Sequence, residues 1–336
     1  MAKEAAIKTS SPLLGVAGIN YINIGLMIIS CWVAYLIPFE LFLLAYAILG
    51  PLHYLTEISW LQKKNFYIKS RNDVWAFAVI TALILFGALN IHSKINNYTT
   101  GLIFTAFVFA LIILFVDKLT FKLVALFLVF SLFAVFGLNQ VLPVQIIFGL
   151  FLPTIMHVFL FTGIFMLYGA LRGKSFSGML SVGVFILCSA TFFIFQPNTV
   201  SHIASPYIQR SYDLFAILNK SMSDVFGVGT INSFNDVFTN PGAVALMRFI
   251  AFAYTYHYLN WFSKTSVIKW HEISRTRFIC ILILWIFSVA IYAYNYRVGF
   301  YVLFFLSILH VFLEFPLNHQ SFIGLGKEVK ALFVRK

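Results

Sequence analysis

Ten long apolar stretches, separated by short polar connections, limit what this chain can fold into. A helix needs about 20 mainly apolar residues to cross the hydrocarbon core of a bilayer. The stretches that meet this requirement are residues 15–37, 38–62, 74–92, 100–117, 120–139, 141–171, 178–196, 242–263, 277–296 and 298–318. Hydrophobic residues make up 61% of the chain and charged residues only 10%, which is unlike a soluble domain. The sequence therefore predicts an all-α, polytopic transmembrane bundle, with residues 1–336 forming a single integral membrane domain.

The distribution of basic residues predicts the orientation of this bundle. Most of the 23 Lys and Arg residues fall in the tails and loops on one side, and such residues are enriched on the cytoplasmic side of membranes. We therefore expect both termini in the cytoplasm of a multi-pass protein of the cell (inner) membrane. The long connection at 197–241 is then extracytoplasmic, either as a cap on the bundle or as a solvated loop. The net charge of +12 follows from these loops and requires no nucleic-acid partner.

Four of the eight histidines lie inside the apolar stretches. They are His53, His157, His257 and His310. In the predicted topology, all four of their helices run from the outer face inward. The helical rise places three of them about 10–14 Å from the inner ends of their spans, and His157 about 22 Å from the end of a span that is long enough to overhang. We therefore expect the four imidazoles to share one layer. His271 and His319 lie at span ends, where solvation is the ordinary expectation and an additional ligand is the alternative.

Two carboxylates accompany these histidines. Glu57 follows His53 by four residues, and Glu314 follows His310 by the same distance. Helical residues four apart share a face, and ionisable groups in hydrocarbon need a partner, a water-lined cavity or a metal. An imidazole that binds a metal commonly donates its second N–H to a carboxylate. The pattern therefore predicts a divalent transition metal, and an open coordination position suits iron and oxygen chemistry. Hydrogen bonds between helices and a proton relay remain the alternatives.

Aromatic residues near the histidines predict an apolar substrate pocket. Tyr54 follows His53 directly, and Tyr254 and Trp261 flank His257 on its helix. The chain contains 40 Phe and 16 Tyr residues, enough to surround a long apolar ligand. Packing between helices is the alternative role for each of these aromatic side chains.

The order of these motifs resembles the bacterial and archaeal Brp/Blh family of membrane β-carotene 15,15′-dioxygenases. The similar segments are Gly50-Pro51-Leu52-His53 with Glu57, Met156-His157-Val158-Phe159, Tyr254-Thr255-Tyr256-His257, and His310 to Glu314 followed by Phe315-Pro316-Leu317-Asn318-His319. The chain departs from the family pattern at three points. Trp261 replaces the second histidine of the third motif, no acid follows His157, and Glu stands where the family has Asp at positions 57 and 314.

This resemblance implies a non-haem Fe(II) enzyme that cleaves the central double bond of a carotenoid with O₂ to give retinal. The four histidines would hold the iron, and Glu57 and Glu314 would act in catalysis by orienting imidazoles or completing the metal's coordination. The partners would be a lipophilic substrate, O₂ and membrane lipid. Two other functions stay open: a proton- or metal-coupled transporter that uses the His–Glu pairs, and a membrane lipid hydroxylase or desaturase. The missing HxxxH and HxxHH clusters count against the last.

Overall fold

The fold was analysed in a computed structural model that describes residues 15–64, 71–90, 92–196, 202–264 and 273–334. Within these ranges the chain is helical and contains no strand. The prediction of an all-α fold is therefore confirmed for the described residues. Seven of the helices are long and apolar enough to cross a membrane.

The helices follow one another closely along the chain. The α-helices are α1 (Val16–Leu36), α2 (Pro38–Leu44), α3 (Gly50–Lys64), α4 (Arg71–Leu89), α5 (Thr99–Phe115), α6 (Leu119–Val135), α7 (Leu142–Val144), α8 (Thr162–Arg172), α9 (Phe176–Ile194), α10 (Pro206–Tyr212), α11 (Ala216–Phe226), α12 (Asp236–Thr239), α13 (Pro241–Ser263), α14 (Arg275–Tyr294) and α15 (Tyr296–Val334). Two π-helical segments interrupt them: π1 (Ala45–Leu49) joins α2 to α3, and π2 (Gln145–Phe161) joins α7 to α8. Single 3₁₀ turns occupy Asn96–Tyr98, Leu138–Gln140 and Asp213–Phe215.

Each of the ten predicted spans contains a helix, but the helices differ in length and polarity. The seven membrane-length candidates include the composite helices Pro38–Gln62 and Leu142–Arg172. Two further apolar helices, Asp73–Leu89 and Leu119–Val135, are shorter, and α13 is not among the seven. A helical membrane bundle is thus supported, while the number of ten spans and the positions of the termini stay predictions.

The last helix is longer than the sequence predicted. The tenth span was expected to end at residue 318, yet α15 continues through Pro316 to Val334, a length of 39 residues. At about 1.5 Å per residue it measures about 58 Å, against a hydrocarbon thickness of about 30 Å. Residues 326–334 include Lys, Glu, Ala and Leu, which favour helix. The basic segment is therefore the last part of α15 and not a separate tail.

Helix α13 lies at the centre of one half of the bundle. Its neighbours include α1, α2 and α9, and it is buried along nearly its whole length. Alanines such as Ala245 and Ala253 let these neighbours approach closely. A second hydrophobic cluster, with Phe77, Phe109 and Phe312, joins α4, α5 and α15. Large apolar side chains cover the outer faces of the bundle, as expected for a surface in contact with lipid.

The connection after α9 packs onto the bundle. Within its described part, residues 202–240 (the cap segment), the buried side chains include Tyr212 and Phe238. The rings of both lie against Phe39 of α2, with centroids 5.1 and 4.7 Å away. Of the two alternatives for this connection, the described residues adopt the packed cap. Its location outside the cytoplasm stays a prediction.

A turn of the cap segment is held by the exposed carboxylate of Asp236. The backbone N–H groups of Asn232 and Ser233 donate to Oδ2 of Asp236 at 2.8 and 2.7 Å. Because these bonds favour the ionised form, they lower the pKa of the Asp236 carboxyl group. The turn that leads into α12 is therefore held by charge-assisted hydrogen bonds.

Candidate metal centre

Four imidazoles from four helical segments meet inside the bundle. They are His53 on α3, His157 on π2, His257 on α13 and His310 on α15, and all four are buried. The ring centroids of neighbouring pairs lie 4.7, 5.0, 5.1 and 5.3 Å apart. The structure thus brings all four predicted histidine ligands together, and they are called the histidine cluster below.

The spacing of the potential ligand atoms matches a metal site. Nε2 of His53 lies 3.1 Å from Nε2 of His257 and 3.1 Å from Oε2 of Glu57. Two ligands at right angles, each about 2.1 Å from an ion, are about 3.0 Å apart. Two groups of residues place their ligand atoms within 4.8 Å of one another: His53, His157 and His257, and His53, Glu57 and His310. These buried residues can therefore hold a metal ion.

Several of these atoms have no hydrogen-bond partner among the described residues. They are both ring nitrogens of His157, Nδ1 of His53, Nε2 of His310 and both carboxylate oxygens of Glu57. Each buried polar atom left without a partner costs about 1–3 kcal/mol, so the arrangement needs a reason. The contact between His53 and Glu57 is short yet lacks hydrogen-bond geometry, as expected for two atoms that face one cation. Nitrogen and carboxylate ligands of this kind suit divalent transition metals.

The outer nitrogens of two imidazoles are fixed by neighbouring groups. Nδ1 of His257 lies 2.8 Å from the hydroxyl oxygen of Thr162, and Nδ1 of His310 lies 3.4 Å from the carbonyl oxygen of Leu306. A proton on each Nδ1 can be donated to these acceptors, which leaves Nε2 free as a ligand. The partners of His257 and His310 are therefore compatible with the tautomer that metal binding at Nε2 requires.

Glu314 contacts a histidine of a different helix. It was expected to act beside His310, one turn earlier on α15, but its Oε2 lies 3.1 Å from Nδ1 of His157. The side-chain amide of Asn318 lies 3.5 Å from the same oxygen. Nδ1 of His310 is directed at the backbone carbonyl of Leu306 instead. The Glu314 carboxylate therefore contacts His157 and not His310. No acid follows His157 in sequence, but in the structure Glu314 of α15 lies beside it. Glu57, in contrast, contacts His53 of its own helix.

The two π-helical segments were not predicted, and they explain why Thr162 was missed. His157 and Thr162 are five residues apart, which separates them by roughly 140° around an α-helix. The hydrogen bonds of a π-helix span five residues, so residues five apart come onto one face. His157 lies in π2, and Thr162 follows its last residue directly. The available signal was proline in an apolar span, since Pro153 lies within π2 and Pro51 follows π1.

Two cavities adjoin the histidine cluster from opposite sides. The cap-side cavity, about 240 Å³, is lined on α15 by residues from Phe300 to Val311. The Lys264-side cavity, about 270 Å³, is lined on the same helix by residues from Glu314 to Ser321. His157 and His257 line both cavities. A molecule that occupied both would therefore pass directly beside the cluster.

The predicted pocket aromatics fall into three different places. Tyr254 lines the cap-side cavity, and Trp261 lines the Lys264-side cavity. Trp261 also donates its indole N–H to the Thr56 hydroxyl at 3.0 Å. Tyr54 packs against the His310 ring, with centroids 5.6 Å apart, and is not among the described residues that line either cavity. Its role is therefore to support an imidazole.

The two interfacial histidines contribute nothing to the observed cluster. His319 is partly buried, and its ring faces Phe115 with centroids 6.5 Å apart. It does not belong to either group of potential metal ligands found in the described part of the chain. His271 lies outside the described residues.

No protein-family model, no curated protein and no solved structure matches this chain. The resemblance to the Brp/Blh family therefore rests on the spaced motifs in the sequence.

Proposed function

We propose that this protein is a membrane-embedded non-haem iron oxygenase resembling the Brp/Blh dioxygenases. Its substrate is a carotenoid or a similar long apolar polyene, which it cleaves with O₂ to aldehyde products such as retinal. One observation carries the proposal: four buried imidazoles converge where two largely apolar cavities adjoin.

The dimensions of the cavities support cleavage near the middle of a long substrate. Along α15, the lining residues run from Phe300 to Ser321, which corresponds to about 32 Å at the helical rise. His310 lies about 15 Å from one end and about 16 Å from the other. A polyene about as long as the bilayer is thick would thus have its central double bond beside the cluster. Together the two volumes fall within the usual range for ligand sites, roughly 300–1,000 Å³.

The residues of the site have distinct roles in the proposed reaction. Bound Fe(II) would supply the activation of O₂ next to the alkene. The carbon–carbon double bond breaks and each of its carbons receives one oxygen atom, so substrate and O₂ alone balance the two aldehydes. Thr162 keeps His257 oriented through a hydrogen bond, and the Glu314 carboxylate places its charge 3.1 Å from Nδ1 of His157. The apolar walls hold the polyene in place and exclude water, which favours one reacting bond over its neighbours.

One feature also fits the second candidate, a proton- or metal-coupled transporter. Glu57 and Glu314 are buried beside histidines, as in a proton relay. The cap-side cavity argues against an ion pathway, since its described lining contains no Lys, Arg, Asp or Glu. A lipid hydroxylase or desaturase would use the same metal centre on an acyl chain, so the two enzymes differ in product.

Elemental analysis of the detergent-purified protein tests the metal. We expect bound iron in the unmodified protein and its loss in the alanine variants of His53, His157, His257 and His310. His202→Ala is the matched control, because His202 pairs with Glu40 of α2 at 2.9 Å, outside the cluster. Unchanged iron in the cluster variants would contradict the proposal.

Co-expression with a β-carotene pathway tests the reaction. Extracted pigment should lose its orange colour while retinal appears, and His257→Ala should abolish both changes. Retained pigment together with hydroxylated or desaturated lipid would favour the other enzyme. Retained pigment in a protein without iron would favour the transporter.

A further inference from the structure

The two cavities beside the histidine cluster differ in the charge of their linings. The cap-side cavity combines apolar side chains with tyrosines such as Tyr254 and Tyr258. The cap-side lining contains no Lys, Arg, Asp or Glu among the described residues, whereas the Lys264-side lining includes Lys264 and Glu314. A substrate with two identical apolar ends does not explain this difference.

Lys264 provides the positive charge of this second cavity. It is the residue after α13, seven residues beyond His257, which corresponds to about 10 Å along the helix. The side chain is partly buried, and no described residue forms an ion pair or a side-chain hydrogen bond with its ammonium group. Glu314, in the lining of the same cavity, acts on this charge without forming an ion pair with it. A partly buried cation is costly, so an anionic ligand in direct contact with Lys264 would be stabilised here.

A third, more polar cavity reaches the same lysine. Its volume is about 160 Å³, and its lining includes Asn20, Asn23 and Ser181. It shares Asn260 and Lys264 with the Lys264-side cavity. Lys264 therefore stands where an apolar chamber meets a polar one, and a charged group could stay partly hydrated there. Partial hydration reduces the desolvation cost of binding an anion.

Glu314 lines the Lys264-side cavity as well. The carboxylate contacts His157 and lies one turn from His310, about 6 Å along α15. Glu314 thus contacts the histidine cluster directly and acts on Lys264 without forming an ion pair. A simpler role for Lys264 is to stabilise the C-terminus of α13, where cations are favourable. That role affects stability and predicts no ligand preference.

We infer that the Lys264-side cavity binds the carboxylate of an amphiphilic, long-chain polyene, with Lys264 as its counter-ion and the chain running past the histidine cluster into the cap-side cavity. This inference names the substrate class of the proposed oxygenase and rests on that function for its catalytic meaning. Lys264 acts as a specificity-determining residue at the end of the substrate that does not react. The amide N–H₂ group of Asn260, on the same wall, is an additional donor for the carboxylate.

Fluorescence titration of the full-length purified protein tests this inference. The probe is trans-parinaric acid, a conjugated tetraene fatty acid that fluoresces in apolar sites, and its methyl ester is the neutral comparison. We expect the acid to bind at least about tenfold more tightly than the ester, as one charge-assisted contact allows. Lys264→Met should remove this preference and leave ester binding unchanged, whereas Lys264→Arg should keep it. Lys94→Met changes an exposed lysine and should bind both probes like the unmodified protein.

Two results would overturn the inference: equal binding of acid and ester by the unmodified protein, or undiminished binding of the acid by a folded Lys264→Met variant. If that variant does not fold, the comparison of acid with ester in the unmodified protein decides alone. The oxygenase proposal fails separately, through iron content. A protein that prefers the acid but holds no iron refutes the oxygenase and keeps the carboxylate site. A protein that holds iron but binds acid and ester equally refutes only the carboxylate site.

Discussion

Nε2 of His53 and Nε2 of His257 lie 3.1 Å apart although 204 positions separate the two residues in sequence. Two imidazole nitrogens at this distance either share one proton or face one cation. Oε2 of Glu57, also 3.1 Å from Nε2 of His53, adds a negative charge to the same point. A cation therefore satisfies all three atoms at once, which a single shared proton cannot do.

Thr162→Val should weaken metal binding without removing a ligand. The substitution keeps the shape of the side chain but loses the contact with Nδ1 of His257 at 2.8 Å. Because such supporting hydrogen bonds contribute about 10- to 100-fold to metal affinity, we expect a loss in that range, measured by competition with a chelator. Thr162→Ser should retain the affinity. Thr81→Val, at a buried threonine bonded to its own helix, is the matched control. Equal affinity in both valine variants would rule out the supporting role of Thr162.

Glu314→Gln should lower metal affinity by a similar factor of about 10 to 100, because His157 loses the negative charge 3.1 Å from its Nδ1, which favours a proton there and a metal at Nε2. The same chelator competition measures it. Glu40→Gln removes a carboxylate that pairs with a histidine outside the cluster and should leave metal binding unchanged. If Glu314→Gln bound metal like the unmodified protein, the pairing across helices would have no function in the centre.

Ala88→Phe should reduce turnover while leaving the metal in place. Ala88 lines the cap-side cavity, and the added ring would occupy the space proposed for the far half of the polyene. We expect at least about a tenfold lower kcat/KM with unchanged iron content, since a displaced substrate loses its alignment with the reacting centre. Ala82→Phe, on an exposed face of the same helix, is the control. Full activity in Ala88→Phe would show that the substrate does not use this cavity.

Lys122→Met should destabilise the fold strongly. The Lys122 ammonium donates to both carboxylate oxygens of Asp73, at 2.7 and 2.8 Å, and both side chains are buried. Removing one partner of a buried pair costs about 3–5 kcal/mol, which should appear as a lower unfolding temperature in detergent. Lys118→Met, at an exposed position just before α6, should have little effect. A Lys122→Met variant as stable as the unmodified protein would contradict this account.

The sequence predicted the parts of the fold that follow from the cost of placing polar groups in hydrocarbon. Apolar stretches of bilayer length require helices, because every backbone group must be bonded within the segment. Histidines inside those stretches need a partner. The shared helix direction and depth of His53, His157, His257 and His310 therefore predicted that their imidazoles lie in one layer. The proposed chemistry, by contrast, came from the resemblance and stays untested.

Contacts between helices could not be predicted in the same way. Nothing in a single sequence assigns Glu314 to His157 instead of His310, because four-residue spacing describes only one helix. A periodicity of 3.6 residues per turn also does not apply where the backbone is π-helical. For this reason the spacing could not predict that Thr162 lies beside the cluster. Lys264 is one of the basic residues whose distribution predicted the orientation, and nothing in the sequence indicated that it lines the cavity beside the cluster.

Helix α15 connects its last turns directly to the histidine cluster. From His310 to Val334 the helix runs for about 36 Å. A load applied to the last turns, by a bound antibody or a fused domain, would reach the imidazole of His310 and the carboxylate of Glu314 through Pro316, where the missing backbone N–H makes the helix easiest to bend. Binding at the last turns of α15 would therefore alter the geometry of the centre from a distance.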